Sequence, residues 1–252
     1  MKYDGKQKRL RERLELQLPV RVQCRESLDH EWVELTRLLD VTPFGSRFTL
    51  TRPSEEGRLL HMTLPMPRQL RCFDHVEQQY KVWALVRHMR PLPPVEGKPQ
   101  RYEIGVAFVG KRAPLSFEND PTKRYEVAES PTETGMWSLR ERTAEDDAAR
   151  YDGPDRRPET RLNMPVEVIV EVFDEKGNVA ERETTVTENI SRRGAAVFTS
   201  LNIARGRFVR LTSVRYQISV IAAVRGRRSG SDNIPRLHLE FVSQQWPLEG
   251  FE

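Results

Sequence analysis

Apolar and polar residues alternate along most of the chain, the two-residue period of a strand with one face in a core and one in water. The clearest runs are Pro19-Val-Arg-Val-Gln-Cys24, Val166-Glu-Val-Ile-Val-Glu-Val-Phe173 and Arg236-Leu-His-Leu-Glu-Phe241. Further strands are predicted over Trp32–Leu39, Phe48–Leu50, Leu59–Leu64, Tyr80–His88 and Tyr102–Val109 in the first half. In the second half they fall over Glu181–Glu188, Ala195–Phe198, Phe208–Thr212, Gln217–Val224 and Leu237–Val242. Turn residues separate them at Lys176-Gly-Asn178, Gly194, Gly206, Gly226 and Ser229-Gly-Ser-Asp232. Many short strands with regular turns predict an all-β chain of barrels or sandwiches.

The pattern breaks between about 113 and 153. Asn119-Asp-Pro121, Ser130-Pro131 and Arg140–Arg150 offer few residues to bury, and a helix over Leu139–Arg150 would have no apolar stripe. This stretch is expected to be a charged, partly helical linker. The predicted organisation is therefore 1–112, a linker over 113–153, and 154–252. A chain of 252 residues has room for two domains.

Composition narrows the class. Hydrophobic residues make up 37% and charged residues 31%, a globular balance. No apolar run approaches the ~20 residues that cross a bilayer. The opening Met1–Val20 lacks the apolar segment of a secretory signal, so a cytoplasmic protein without membrane insertion is expected. Cys24 and Cys72 are too few for a disulfide framework or a thiolate metal site. The net charge, 41 basic less 37 acidic residues, is only +4, which argues against a general nucleic-acid binder. The basic residues cluster instead: Lys2, Lys6, Lys8, Arg9, Arg11 and Arg13; Arg156, Arg157 and Arg161; Arg192 and Arg193. Such clusters suit local anion sites.

The same order of signals occurs twice. Arg9-x-x-x-Arg13 and Arg157-x-x-x-Arg161 each precede a strand with Pro-Val, at Pro19-Val20 and Pro165-Val166. Each strand is followed by a short turn, Asp40-Val-Thr42-Pro-Phe-Gly45 and Asn189-Ile-Ser191-Arg-Arg-Gly194. Each half ends on a strand holding Phe108 or Phe241. Arginine grips phosphate through a planar two-donor fork and stacks on flat bases. Two arginines four apart on an extended arm reach across ~13 Å, enough to close over a bulky anion. Asp40 or Asn189 can accept hydrogen bonds from a donor-rich edge such as that of guanine. Thr42 or Ser191 can cap the turn or reach the ligand. Gly45 and Gly194 suit a left-handed backbone or a close backbone approach. Together these parts favour a guanine-containing phosphodiester over a metal or a peptide.

The Arg-x-x-x-Arg and (Asp/Asn)-x-Ser-x-x-Gly pair resembles the PilZ domain, a bacterial receptor module for cyclic di-GMP. The resemblance covers nearly all the chain outside the linker, as two tandem copies. It implies two six-stranded antiparallel β-barrels joined by the linker, often with a following helix, and an arm that wraps the ligand against the barrel. It implies ligand contacts from Arg157, Arg161, Asn189, Ser191 and Gly194 in the second copy, and from Arg9, Arg13, Asp40, Thr42 and Gly45 in the first. The second copy has the full pattern, with three residues rather than five between its last arginine and the proline. In the first, Thr42 stands for serine and is expected to crowd the pocket. Lys8 and Arg156 occupy a position whose basic residue, in the family, favours a stacked pair of ligands, so Arg156 joins the candidate set.

The resemblance implies no catalytic residue, metal or cofactor; the ligand is cyclic di-GMP and the expected output is a change in domain arrangement read by a downstream protein. Two other readings have their own signatures. A PilZ-like scaffold for protein contacts usually lacks the arginines, which are present here. A nucleic-acid binder using the basic N-terminus would lose affinity steeply with salt. Gly105–Lys111 nearly spells a phosphate-binding loop, but Arg112 replaces the hydroxyl residue that would follow. Asn189-Ile-Ser191 matches a glycosylation sequon that a cytoplasmic chain has no route to modify. The five histidines lack metal-site spacing, and His238 is expected in a strand.

Overall fold

A computed structural model of the chain describes residues 14–127, 139–143, 162–230 and 232–248. The alternating segments close into two six-stranded antiparallel barrels. The first comprises β1 (Pro19–Arg25), β2 (Glu31–Thr42), β3 (Gly45–Leu50), β4 (Leu59–Leu64), β5 (Tyr80–Pro91) and β6 (Tyr102–Gly110). Next come a short helix α1 (Leu115–Asn119) and a hairpin of β7 (Tyr125–Val127) and β8 (Leu139–Glu141). The second barrel comprises β9 (Glu167–Phe173), β10 (Val179–Ile190), β11 (Gly194–Phe198), β12 (Phe208–Ser213), β13 (Ile218–Ser229) and β14 (Pro235–Phe241). Both follow one circuit, β1-β2-β3-β6-β5-β4 and β9-β10-β11-β14-β13-β12, so the internal repeat is one of topology. Closure leaves neither sheet an unpaired edge.

The alternation sorts the side chains as expected. Val20, Val22 and Cys24 of β1 point inward, as do Val168, Val170 and Val172 of β9. The near-continuous apolar run Val220–Val224 does not alternate, because both of its faces are buried. Val220, Ala222 and Val224 fill the second barrel, while Ile221 and Ala223 join Phe173 and Phe208 against the first barrel's apolar residues. The barrels are thus packed wall to wall.

Charges stitch this seam. Arg58 is fully buried; it donates to Glu55 at 2.6 Å, to the Pro121 carbonyl at 3.0 Å and, across the seam, to the Gly206 carbonyl at 3.1 Å. Arg225 of β13 grips both carboxylate oxygens of Glu55 and also donates to Glu240 of β14 at 2.6 Å. Burial alone would raise the Glu55 pKa, but the Arg225 and Arg58 guanidiniums outweigh it and hold that carboxyl well below the usual range. On the same seam Glu26 accepts from the Trp32 indole at 2.7 Å and pairs with Arg207 at 3.2 Å.

His30, also at the seam, has its pKa lowered to about 4 by burial first and then by Arg207 and Arg52, with Asp174 opposing. Its ordinary value is 6.5, so between these values the unfolded chain binds the proton and the folded chain does not. Stability is expected to fall as pH drops from about 6.5 towards about 4, and urea titrations of His30→Gln should show a shallower slope across that window. An identical slope in the variant would remove His30 from the account.

The segment after the first barrel buries more than its polarity suggested. Phe117 of α1 and Tyr125 of β7 pack on Leu59 and Leu85, and the Phe117 ring meets Trp83 edge-on at 5.1 Å. The short helix falls at Leu115–Asn119, while Leu139–Glu141, the start of the polar segment Leu139–Arg150, is a strand and not a helix. Gly105 and Gly110 lie within β6, which continues through the near-phosphate-loop motif.

Candidate functional site

The two (Asp/Asn)-x-(Ser/Thr)-x-x-Gly turns occupy equivalent places, linking β2 to β3 and β10 to β11. Both are preceded by a bulge at the same point: the register slips between Leu38 and Asp40 in the first barrel and between Thr187 and Asn189 in the second. A bulge twists the strand and re-aims the next side chain, here Asp40 or Asn189.

The hydroxyls cap their turns. Ser191 Oγ donates to the Gly194 carbonyl at 3.2 Å and accepts from Arg193 N–H at 3.3 Å. Thr42 Oγ1 donates to the Gly45 carbonyl at 3.3 Å and accepts from Phe44 N–H at 3.2 Å. Thr42 therefore does the work of serine at this position.

The glycines are required by close approach, since neither has a positive φ. A Cβ at Gly194 would stand 2.4 Å from the Leu239 carbonyl oxygen, and one at Gly45 would stand 2.2 Å from that of Val106. These are immovable ladder atoms of β14 and β6. Gly194→Ala should therefore cost about 1–3 kcal/mol, read as a lower urea midpoint, and widen the β11–β14 pairing. An unchanged midpoint would show that the turn can shift without cost.

The arginine arms, with Arg9, Arg13, Arg156, Arg157 and Arg161, lie outside the described residues. The residue after each Arg-x-x-x-Arg is described and is informative. Leu14, which follows Arg13, forms an isolated antiparallel bridge with Val41, which follows Asp40. Leu162, which follows Arg161, forms the same bridge with Ile190, which follows Asn189. Both bridges exchange two backbone hydrogen bonds of 2.9–3.0 Å. Leu14 and Leu162 are thus fastened at equivalent places beside their turns.

The bridges also realign the repeat. The first strand begins five positions after the bridging residue in both barrels, at Pro19 after Leu14 and at Glu167 after Leu162. Pro165 is two positions ahead of Pro19's counterpart, so the two Pro-Val pairs are not equivalent. The apparent three-versus-five spacing difference disappears when the arms are aligned on the bridges.

The copies differ in what faces the acid or amide. In the first barrel Asp40 pairs in register with Arg47, whose Nε donates to the carboxylate at 2.8 Å and whose other nitrogens reach Asp40 at 2.6 Å and Glu103 at 3.4 Å. That hydrogen bond pushes the Arg47 pKa further up. In the second barrel the position across from Asn189 is Ala196, itself across from His238 of β14. The next β14 residue on this outer face is Arg236, which donates to Glu188 at 2.7 Å. Alternation along β14 identifies this face, yet the pairing of Ala196 with Asn189 needed the bulge to be known. Arg192 is exposed, Arg193 is half-buried, and backbone bonds from Trp246 and Phe241 to their carbonyls hold the turn against β14.

Among the described residues, no group of three His, Cys, Asp or Glu side chains could hold a metal ion, and no helix is long and apolar enough to cross a membrane.

Comparison with known proteins places the second barrel. A search among curated proteins finds no match. Among solved structures, the inhibitor of motility MotI/DgrA of Bacillus subtilis matches at 14% identity, covering 92% of this chain and 90% of that one, with a TM-score of 0.30. PlzA of Borreliella burgdorferi, solved in complex with c-di-GMP, matches at 8% identity over 94% and 90%, with a TM-score of 0.30. YcgR of Escherichia coli, also in complex with c-di-GMP, matches at 10% identity over 89% and 76%, with a TM-score of 0.27. The family model for the PilZ domain matches residues 155–245. That span takes in Arg157, Arg161 and the whole Asn189–Gly194 turn, and it identifies the second barrel as a member of the PilZ domain family.

Proposed function

We propose that this chain is a non-enzymatic cytoplasmic receptor for cyclic di-GMP, with the second barrel as its ligand site. The Leu162–Ile190 bridge carries this reading: it pairs the residue that follows Arg161 with the residue that follows Asn189 of the capped turn. The assigned contacts are Arg156, Arg157 and Arg161 with phosphate or base, Asn189 with a guanine edge, and the Ser191–Gly194 turn as the shaped floor. In the first barrel, Asp40 is held by Arg47, an internal guanidinium standing where a ligand's donors would come. Arg9, Arg13, Thr42 and Gly45 are therefore assigned a weaker site than their counterparts.

Signalling is proposed to run through β14. Gly194 pairs in register with Glu240, which accepts from Arg225, which grips Glu55 of the first barrel. A ligand that moves this turn thereby bears on the seam, and a changed seam would present a different surface to a partner protein. Such a shift requires different ligand affinities in the two arrangements.

Titration calorimetry with cyclic di-GMP, GMP and cyclic di-AMP tests the receptor assignment. Saturable binding of the first alone is expected, with two molecules per chain if Arg156 favours a stacked pair. Equal binding of all three, or of none, removes the assignment. Scattering profiles that coincide with and without saturating ligand remove the rearrangement and leave the receptor.

A further inference from the structure

We propose that the seam between the barrels holds a second, separate ligand site, for a small single-ring aromatic carboxylate. A cavity of about 240 Å³ opens where the β9–β10 hairpin and β12 meet the loops of the first barrel. Three cations line it: Arg52 and Lys98 from the first barrel and Arg210 from the second. Its one lining carboxylate among the described residues, Glu26, is already engaged by the Trp32 indole and Arg207. Arg210 pairs with Glu171 at 3.4 Å, and Arg52 is 4% exposed and donates to the Asp174 carbonyl. The cavity thus has an excess of positive charge in a place where water screens it little.

The walls select the rest of the ligand. Tyr102, Phe173 and Phe208 supply aromatic surface, and Arg210 lies 5.0 Å over the Phe173 ring. A bare inorganic anion would leave that surface uncovered, whereas a flat ring covers it and delivers a planar carboxylate to the Arg52 fork. The volume falls below the ~300–1,000 Å³ of sites for drug-sized ligands, so it admits one ring with its anionic group and excludes a cyclic dinucleotide. Nor is this the Asn189–Gly194 site, which lies at the opposite end of the twelve-residue strand β10. Because both barrels contribute cations, a bound ring would brace the seam.

The test is calorimetry on the full chain with benzoate, 4-hydroxybenzoate and nicotinate, beside the neutral isostere benzamide and inorganic phosphate at matched ionic strength. One saturable site for at least one ring carboxylate is expected, with benzamide and phosphate weaker by about tenfold or more. Arg52→Gln and Lys98→Gln should each weaken the carboxylate by a similar factor. Lys98 is exposed on a loop, so its variant keeps the test open if Arg52→Gln does not fold. Absence of saturable binding by all three carboxylates overturns the proposal. So does equal binding of benzamide or phosphate, or unaltered affinity in the Lys98 and folded Arg52 variants.

Discussion

Glu55→Ala should lower the stability of the folded chain by about 3–5 kcal/mol, the range for removing one partner of a buried ion pair. The carboxylate is 4% exposed and faces Arg58, fully buried, and Arg225 from the opposite barrel. Deleting it leaves the fully buried Arg58 with carbonyl partners but without its ion-pair partner. Urea midpoints followed by tryptophan fluorescence should report the loss, since Trp32 is buried beside the seam. The acid limb gives a second readout. The folded pKa of Glu55 is depressed, so its contribution is complete above about 4.5 and is lost as pH falls through the folded value. The variant should lack that part of the pH dependence. A midpoint within about 0.5 kcal/mol of the parent chain would mean that the seam pair is balanced by its desolvation cost.

The second large effect concerns the ligand. A charge-assisted hydrogen bond contributes ~1.5–3 kcal/mol, so Arg157→Ala or Arg161→Ala should each weaken cyclic di-GMP binding roughly ten- to a hundredfold. Lysine at either position keeps the charge but loses the two-donor plane, and should restore only part of the affinity. Arg9→Ala and Arg13→Ala should change it much less, because Arg47 already engages Asp40. Full affinity in both alanine variants of the second arm would sink the site. A larger loss from the first arm would instead reverse the assignment between barrels.

Much of the fold could be read from the chain because strand alternation is a local property. Pro19–Arg25, Leu59–Leu64 and Glu167–Phe173 fall almost where their period places them. The turns were legible through their capping hydroxyls, which act over a few residues, whereas Gly45 and Gly194 answer to the Val106 and Leu239 carbonyls, distant along the chain. What the sequence did not reveal depends on contacts distant along the chain. The polar tail of β13, Arg225–Ser229, does not alternate, yet it goes on pairing with β14 past a bulge between Val224 and Gly226. The Pro-Val pairs looked equivalent until the arms were aligned on Leu14 and Leu162. Phe117 and Tyr125 sit in a polar stretch and are buried only because Leu59 and Leu85 turn outward to meet them. The contrast of Arg47 with Ala196 comes from strand pairing, which sets them opposite Asp40 and Asn189.

The doubly buried wall of β12 and β13 has a practical consequence for dissecting the chain. Expressed alone, 154–252 would show Phe208, Ile221 and Ala223 to solvent beside an Arg225 stripped of its Glu55 counter-ion. Such a fragment is prone to self-association through that wall. Halves produced separately would then report their own stickiness, whereas point substitutions in the intact polypeptide leave the wall covered.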